Sequence, residues 1–272
     1  MITGDFHMHT AFSADSEADV ETMLDTALEK GMKTVCITDH WDEDYPKVYL
    51  EESGMPFCFD IEKYFEKAEQ LKSCYAGQLD VRIGIELGMQ PHLGTFYKEM
   101  TERYPFDFVI GSVHLIEGKD PYFGELTENH EDAWIYRRAL EETLSNLEHI
   151  GDFDVLGHID YVVRYGKYRA EQYSYERFSE LLDQILKKVI ASGKGIELNT
   201  AGWKYGLDFC HPHPDVLKRY RKLGGEIVTV GSDAHKPEHV AYDFKKAEEV
   251  LKICGFTYYT QFRNRKPEFF KL

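Results

Sequence analysis

Seven short apolar runs alternate with longer amphipathic segments along the chain, and this alternation limits the fold more than any other feature. The runs lie at 2–9, 33–39, 80–87, 106–113, 153–159, 195–199 and 226–231. Several are rich in Val, Ile and Phe, as strands buried beneath covering helices require. The segments between them have helical spacing. Val20, Met23, Leu24, Ala27 and Leu28 share one face ahead of Gly31, and Phe178, Leu181, Leu182, Ile185, Leu186 and Val189 repeat the pattern ahead of Gly193. Asp60 is placed to cap a helix carrying Ile61, Tyr64, Phe65, Ala68 and Leu71. A long helix is expected over about 128–147, another begins at Pro214 with Val216, Leu217 and Tyr220, and another covers 241–254. A last strand is expected at 256–262, with no evident partner. With no linker interrupting it, the pattern predicts one α/β domain over 1–272.

The polar residues decide between a closed barrel and an open, doubly wound sheet. His7 and His9, His40, Glu86, His114, His158, then Asp233 and His235 fall at or just beyond the ends of successive runs. A closed or nearly closed β/α barrel gathers such ends around one mouth, whereas an open sheet spreads them along an edge. The barrel is the expectation.

Lys and Arg number 32 against 48 Asp and Glu, a net charge of −16. That excess disfavours a broad nucleic-acid surface but leaves room for a local cationic pocket that takes a small anion. No uninterrupted apolar stretch reaches the roughly 18 residues of a membrane span. Met1-Ile2-Thr3-Gly4-Asp5 does not read as the start of a secretory signal. The cysteines (Cys36, Cys58, Cys74, Cys210 and Cys254) contain no Cys-x-x-Cys pair, and Cys36 and Cys254 lie in apolar patterns. Buried thiols in a reducing, cytoplasmic setting fit that distribution.

Asp5-Phe6-His7-Met8-His9 carries the first chemical signal. Two histidines two apart on a strand point to one side and can reach one centre. By themselves they read more readily as a surface or cleft pair without metal. Gly231-Ser232-Asp233-Ala234-His235 adds a carboxylate and an imidazole beyond another apolar run, and Gly84-Ile85-Glu86 sets a carboxylate inside one. A buried carboxylate is costly unless paired, either with an Arg or Lys or with metal. Glu86 has an oxygen for each of two cations roughly 3.5–4 Å apart, the spacing of two-metal hydrolytic sites.

At this point the chain resembles the PHP-superfamily phosphoesterases, especially the histidinol-phosphate phosphatase branch. The pieces are Asp-Phe-His-Met-His-Thr at 5–10, Thr-Asp-His at 38–40, Gly-Ile-Glu at 84–86 and Gly-Ser-Val-His at 111–114. Gly-His-Ile-Asp at 157–160, Glu-Leu-Asn-Thr at 197–200 and Gly-Ser-Asp-Ala-His at 231–235 complete them in order. The resemblance implies a distorted, TIM-like (β/α)7 barrel with a centre of three divalent metal ions. His7, His9, Glu86 and Asp233 resemble the ligands of one ion. Glu86 bridges to a second held by His114 and His158, and Asp15, His40 and His235 resemble the shell of the third. Some relatives have histidine where this chain has Asp15, so ligation there shifts toward oxygen. A loop or helix-capping carboxylate is the other reading of Asp15, with Ser16 competing for the cap. Asp39 is expected to accept hydrogen bonds behind the ligands.

The mixed N/O donors suit Zn, Mn or Fe. The implied reaction is hydrolysis of a phosphate monoester by metal-activated water, with L-histidinol phosphate as substrate, in histidine biosynthesis. A PHP-type phosphodiesterase or exonuclease, a phosphatase for another small ester, and a non-catalytic metal-dependent structural or sensor protein are the alternatives. The expected partner is a small phosphate ester, with neither nucleic acid nor membrane. Arg164 and Lys204 follow strand ends and are candidates for phosphate, Arg164 with the better oriented fork. Lys119 is a weaker one. Asp160, two residues beyond His158, is a candidate to orient a ligand histidine, hold substrate or donate a proton. Glu117, Tyr161, Trp203 and Tyr205 are candidates for a pocket around the ammonium and imidazole of histidinol. His92, His130, His149 and His239 read as surface residues, and His211 and His213, flanked by Pro212 and Pro214, as a helix entry.

Overall fold

The structure, a computed structural model, describes residues 1–53 and 57–272. Among the described residues eight strands form one parallel sheet: β1 (Gly4–Asp5), β2 (Thr34–Ile37), β3 (His40–Trp41), β4 (Asp80–Gly88), β5 (Phe108–Ser112), β6 (Val155–Leu156), β7 (Gly195–Asn199) and β8 (Val228–Gly231). Pairing runs β1-β2-β4-β5-β6-β7-β8. β2 and β3 are two halves of one interrupted stave, because Thr34–Ile37 pairs with the first half of β4 and His40 lies opposite Glu86. Seven staves therefore surround the axis, as the alternation of runs predicts.

The ring closes between the first and last staves by single bonds rather than a ladder. Phe6 N donates to Val230 O (3.0 Å), Asp233 N to His7 O (2.8 Å) and His9 N to Ala234 O (2.8 Å). This makes the barrel distorted and nearly closed. The same bonds explain why the expected strand at 2–9 keeps only two ladder residues. Beyond Asp5 its amides turn to the neighbouring loop, and Met8 N donates to the Thr38 hydroxyl (3.1 Å).

β4 shows how the pleat sorts the layers. Val81, Ile83, Ile85 and Leu87 face the surrounding helices and join the main core. Arg82, Gly84, Glu86 and Gly88 alternate with them and face the axis. Helices Val20–Glu29 and Ile61–Cys74 begin as expected, with Asp19 and Asp60 accepting from Thr22 N and Lys63 N. Such caps contribute about 1 kcal/mol each. Asp19, not Asp15 or Ser16, caps the first of these helices; Ser16 instead donates to His235 O (3.1 Å).

Two expectations change. The helix over 128–147 is divided into Glu125–Asn129 and Asp132–His149, because His130 is extended (φ −136°, ψ 158°). The longer one begins where the buried Asp132 carboxylate accepts from Lys167 N and Tyr168 N. The last strand, β9 (Tyr258–Arg263), has a partner that the apolar pattern did not reveal: β10 (Lys266–Lys271), antiparallel across a turn with Asn264 and Arg265 at φ 49° and 62°. This hairpin closes one end of the barrel. Its Phe262 enters an axial cluster with Phe6, Cys36, Phe108, Ile110 and Val155. Among the described residues no helix is long and apolar enough to cross a membrane, and all five cysteines are free.

Candidate metal centre

At the other end, the one reached by the carboxyl ends of the strands, all nine expected ligands converge. β4 carries Glu86, opposite His40 on β3; His114 and His158 lie just beyond β5 and β6; Asp233 and His235 follow β8. Glu86 is the hub. Its Oε1 lies 2.9 Å from His158 Nε2 and 3.3 Å from His114 Nε2. Its Oε2 lies 3.2 Å from His7 Nε2, 3.5 Å from His9 Nε2 and 3.0 Å from His40 Nδ1. The two oxygens thus face two different groups of imidazoles. Asp233 Oδ1 reaches His9 Nε2 (3.4 Å), and Asp15 Oδ2 reaches His235 Nε2 (3.0 Å) and His40 Nε2 (3.6 Å). Asp233 holds its position in a left-handed backbone conformation (φ 52°), a strain fixed in place by the hydrogen bond that its N–H donates to His7 O.

Among the described residues His7 Nε2, His9 Nε2, His40 Nδ1, His235 Nε2 and Glu86 Oε2 are buried with no hydrogen-bond partner. Buried polar atoms are normally paired, so five convergent exceptions point to a group that they hold together. Sets such as His7, Glu86 and His158, or His7, His9 and Asp233, bring their donor atoms within 4.8 Å of one another, a spacing that suits a divalent cation with N/O ligands. Charge follows the same logic. Burial pushes Glu86 up, but His7, His40 and His114 outweigh it and hold its carboxyl well below the usual range. Asp233 is held low in the same way, by His7, His9 and Lys204 against burial. His9 is lowered by burial and by His235 and His40, whereas burial of His7, His40 and His114 is outweighed by the carboxylates facing them, which raise all three.

Behind the ligands stands a set of carboxylates. Asp39 accepts from Thr10 N (2.6 Å) and from the Ser13 hydroxyl (2.7 Å), and Ser13 Oγ in turn lies 3.0 Å from His9 Nδ1. Asp39 therefore sits where an acceptor behind the ligands is expected. Two members of this set were missed. Asp42 Oδ1 lies 2.7 Å from His114 Nδ1, and Glu197 Oε1 lies 2.6 Å from His7 Nδ1. The signal for Glu197 was present: the Gly-Ile-Glu of β4 recurs at 195–197, again with its carboxylate in an apolar strand. Gly231 makes room for it, because a Cβ there would lie 2.3 Å from Glu197 Oε1 and 2.3 Å from His7 Cβ.

The remaining candidates separate clearly. Arg164 stands at the centre's edge, its Nη1 3.8 Å from Asp233 Oδ2 and its Nη2 donating to Tyr165 OH (2.8 Å). The rings of Tyr205, Tyr165 and Tyr161 surround its guanidinium at 4.5, 4.9 and 5.2 Å. Among the described residues its Nε and Nη1 are buried without partners. Lys204 Nζ donates to Asp233 O (2.6 Å), and burial lowers its pKa. Asp160 is placed differently from the expectation of a group on the substrate. It is 1% exposed, with Oδ1 2.7 Å from His211 Nδ1 and Oδ2 accepting from His213 N (2.8 Å). It braces the base of the turn Tyr161–Tyr165 that carries Arg164. Only His213 serves the helix entry, accepting from Asp215 N; His211 is fully buried against Asp160.

Glu117 turns away from the expected pocket, because it is exposed and paired with Arg138 on the outer helix (3.1 Å). Lys119 is likewise paired with Glu125. Trp203 is buried in the main core beneath Lys246, whose Nζ lies 4.3 Å from its ring. That packing does not bring it to the ligand cluster.

A barrel with clustered histidines and carboxylates at the carboxyl ends of its strands defines a metal-dependent hydrolase. The comparisons narrow the class. The model of the PHP domain matches residues 5–201. A probable histidinol-phosphatase of Clostridium acetobutylicum is 32% identical over 267 residues, covering 98% of this chain and 96% of the relative. The histidinol-phosphatase of Lactococcus lactis is 30% identical, with 93% and 91% covered. The crystal structure of histidinol phosphate phosphatase from Lactococcus lactis, complexed with zinc, L-histidinol and phosphate, superposes with a TM-score of 0.87 at 28% identity, covering 98% of each chain. The chain belongs to the PHP domain family, within its histidinol-phosphatase branch.

Proposed function

We propose that this protein hydrolyses L-histidinol phosphate to L-histidinol and inorganic phosphate, at a centre of three divalent ions. The observation that carries the reading is the division of Glu86, with Oε1 facing His114 and His158 while Oε2 faces His7 and His9. One ion would be held by His7, His9, Glu86 and Asp233, a second by Glu86, His114 and His158, and a third by Asp15, His40 and His235. Zn, Mn or Fe suits these donors. Bound divalent cations activate water near neutral pH and neutralise charge on phosphate and leaving oxygens.

The chain's own residues do the rest. Arg164 would offer the phosphate its Nε and Nη1, which have no hydrogen-bond partner among the described residues and are already oriented by the three tyrosine rings, so little ordering remains to be done on binding. Lys204 fixes the loop of Asp233 through its carbonyl. Asp160 acts through His211 and His213 to hold the Arg164 turn, not as a proton donor. Tyr161, Tyr165 and Tyr205 give the mouth aromatic walls for an imidazole. The net charge of −16 fits a small zwitterionic ester that carries an ammonium better than an oligonucleotide. Residues 1–272 act as one unit, and a reducing cytoplasm keeps the five free thiols reduced.

The test is phosphate release by the metal-reconstituted protein from histidinol phosphate, a nucleoside monophosphate and a dinucleotide, with Zn, Mn or Fe. Turnover of histidinol phosphate that is lost on chelation and restored by metal is expected. Strong turnover of the dinucleotide alone would overturn the reading.

A further inference from the structure

The nine ligands are not equally supported, and this inference rests on the reading that they hold three divalent ions. His7, His9 and His114 each lean on a carboxylate outside the ligand set. Glu197 reaches His7 Nδ1 (2.6 Å), Asp42 reaches His114 Nδ1 (2.7 Å), and Asp39 reaches His9 through Ser13. Glu197 does more, because its Oε2 also accepts from His158 N (3.1 Å) and from Asn199 Nδ2 (3.1 Å). One buried carboxylate therefore ties together a ligand from each of the two groups that Glu86 bridges. A carboxylate on Nδ1 fixes the tautomer with its proton there, turns Nε2 toward the centre and makes that nitrogen a better donor.

The shell of Asp15, His40 and His235 lacks this backing. Among the described residues, neither of its histidines has a carboxylate within 3.5 Å other than fellow ligands. Asp42 Oδ2 stands 3.6 Å from His40 Nδ1, and His235 Nδ1 faces the backbone carbonyl of Asp233 (3.1 Å). This shell also holds the two most exposed ligands. The side chains of Asp15 and His235 are 42% and 19% exposed and that of His40 11%, against 12% and 6% for His114 and His158 and 0% for His7, His9 and Glu86. Water competes with ligands and screens charge at such a site, whereas the buried donors meet their ions almost free of it.

We propose that Glu197 and Asp42 are positioning residues that raise the metal affinity of the pair bridged by Glu86, so that the ion at Asp15, His40 and His235 is exchangeable and leaves first. Occupancy of the outer position then follows the surrounding metal concentration while the inner pair stays filled.

The experiment loads the full chain with zinc, removes the excess, and dialyses it against rising concentrations of a chelator while metal per chain is measured by atomic spectrometry. Loss in two stages is expected, from three ions to two and then to none, with chelator strengths separated by about tenfold or more. Glu197→Gln should shift the second stage alone, by about 10–100-fold toward weaker chelation. Asp15→Asn should shift the first stage alone. Asp42→Asn tests the same idea through His114 and serves if the Glu197 variant does not fold. Release of all three ions in one stage, or an inner stage unmoved by both Glu197→Gln and Asp42→Asn, would overturn the proposal while leaving the metal centre intact. A chain that binds no zinc overturns the metal centre itself, and this inference with it.

Discussion

Arg82 and Glu86 lie four residues apart on one face of β4, both buried, at opposite ends of the same barrel. At the hairpin end the charge is answered locally. Arg82 Nη1 donates to Phe262 O (2.6 Å), and its Nη2 pairs with Asp80 (2.5 Å) and Glu268 (3.4 Å). Arg265 pairs with Asp154 (2.5 Å), and its amide donates to Asp107 O (2.9 Å). At the mouth the carboxylate of Glu86 meets five imidazoles, and among the described residues His7 Nε2, His9 Nε2 and His40 Nδ1 have no hydrogen-bond partner there. One end uses buried charge to fasten a plug. The other keeps it ready for ions and substrate, so changes at the two ends should read out in different quantities.

The largest effect is expected at the mouth. Glu86→Gln removes the bridging charge and should lower turnover by about 10³-fold or more, since metal stabilisation of the transition state amounts to several kcal/mol. The melting temperature of the metal-free chain should fall only modestly, because the surrounding imidazoles lose their anionic partner but can give up their protons. A metal-free Tm that falls as far as that of a plug variant would break the comparison. At the other end Phe262→Ala should cost about 3–5 kcal/mol in denaturant unfolding, with kcat per folded molecule unchanged.

Arg164→Lys tests the mouth more gently. It keeps the charge but loses the planar fork and the fit among three rings, and kcat/KM should fall by roughly 10–100-fold with little change in Tm. Acid titration then separates the ends again. Burial pushes Asp80 up, but Arg82 and Arg263 outweigh it and hold its carboxyl below the ordinary 3.8. A depressed carboxyl contributes stability that is present above that ordinary value and disappears as pH falls through the lower folded one. Asp80→Asn should therefore flatten the acid limb of the stability curve below about pH 4, and leave it unaltered near neutrality apart from the lost pairing. The smallest effect belongs to Glu117→Ala, which removes an exposed pair with Arg138. It should change stability by less than about 0.5 kcal/mol and leave KM for histidinol phosphate as it was. A clear rise in KM would return Glu117 to the pocket from which the structure removes it.

Much of the mouth was legible in the linear chain, because ligands sit at the ends of apolar strands and parallel strands in a barrel must bring those ends together. His7, His9, Glu86, His114, His158, Asp233 and His235 follow from that rule. Asp42 and Glu197 did not, since a carboxylate behind a histidine is recognised only by which ring nitrogen it faces. Asp160 shows the same limit from the other side. Its place two residues beyond His158 suggests chemistry on the substrate, but both its oxygens are taken by a loop about fifty residues later. The hairpin partner β10 escaped because its Lys, Pro and Glu break the apolar pattern, and Phe262 is visible as a plug only once the barrel surrounds it.

The sequence by itself determined the alternation of strand and helix, the barrel that follows from it and which histidines and carboxylates stand at the strand ends. These depend on residue type and local spacing, which the chain carries in order. Only the tertiary structure decided that Glu86 divides its oxygens, that Arg164 stands in a tyrosine cage and that the inner ligands are backed while the outer shell is not. Each of those rests on distances of a few ångströms between residues far apart in sequence, and packing alone sets them.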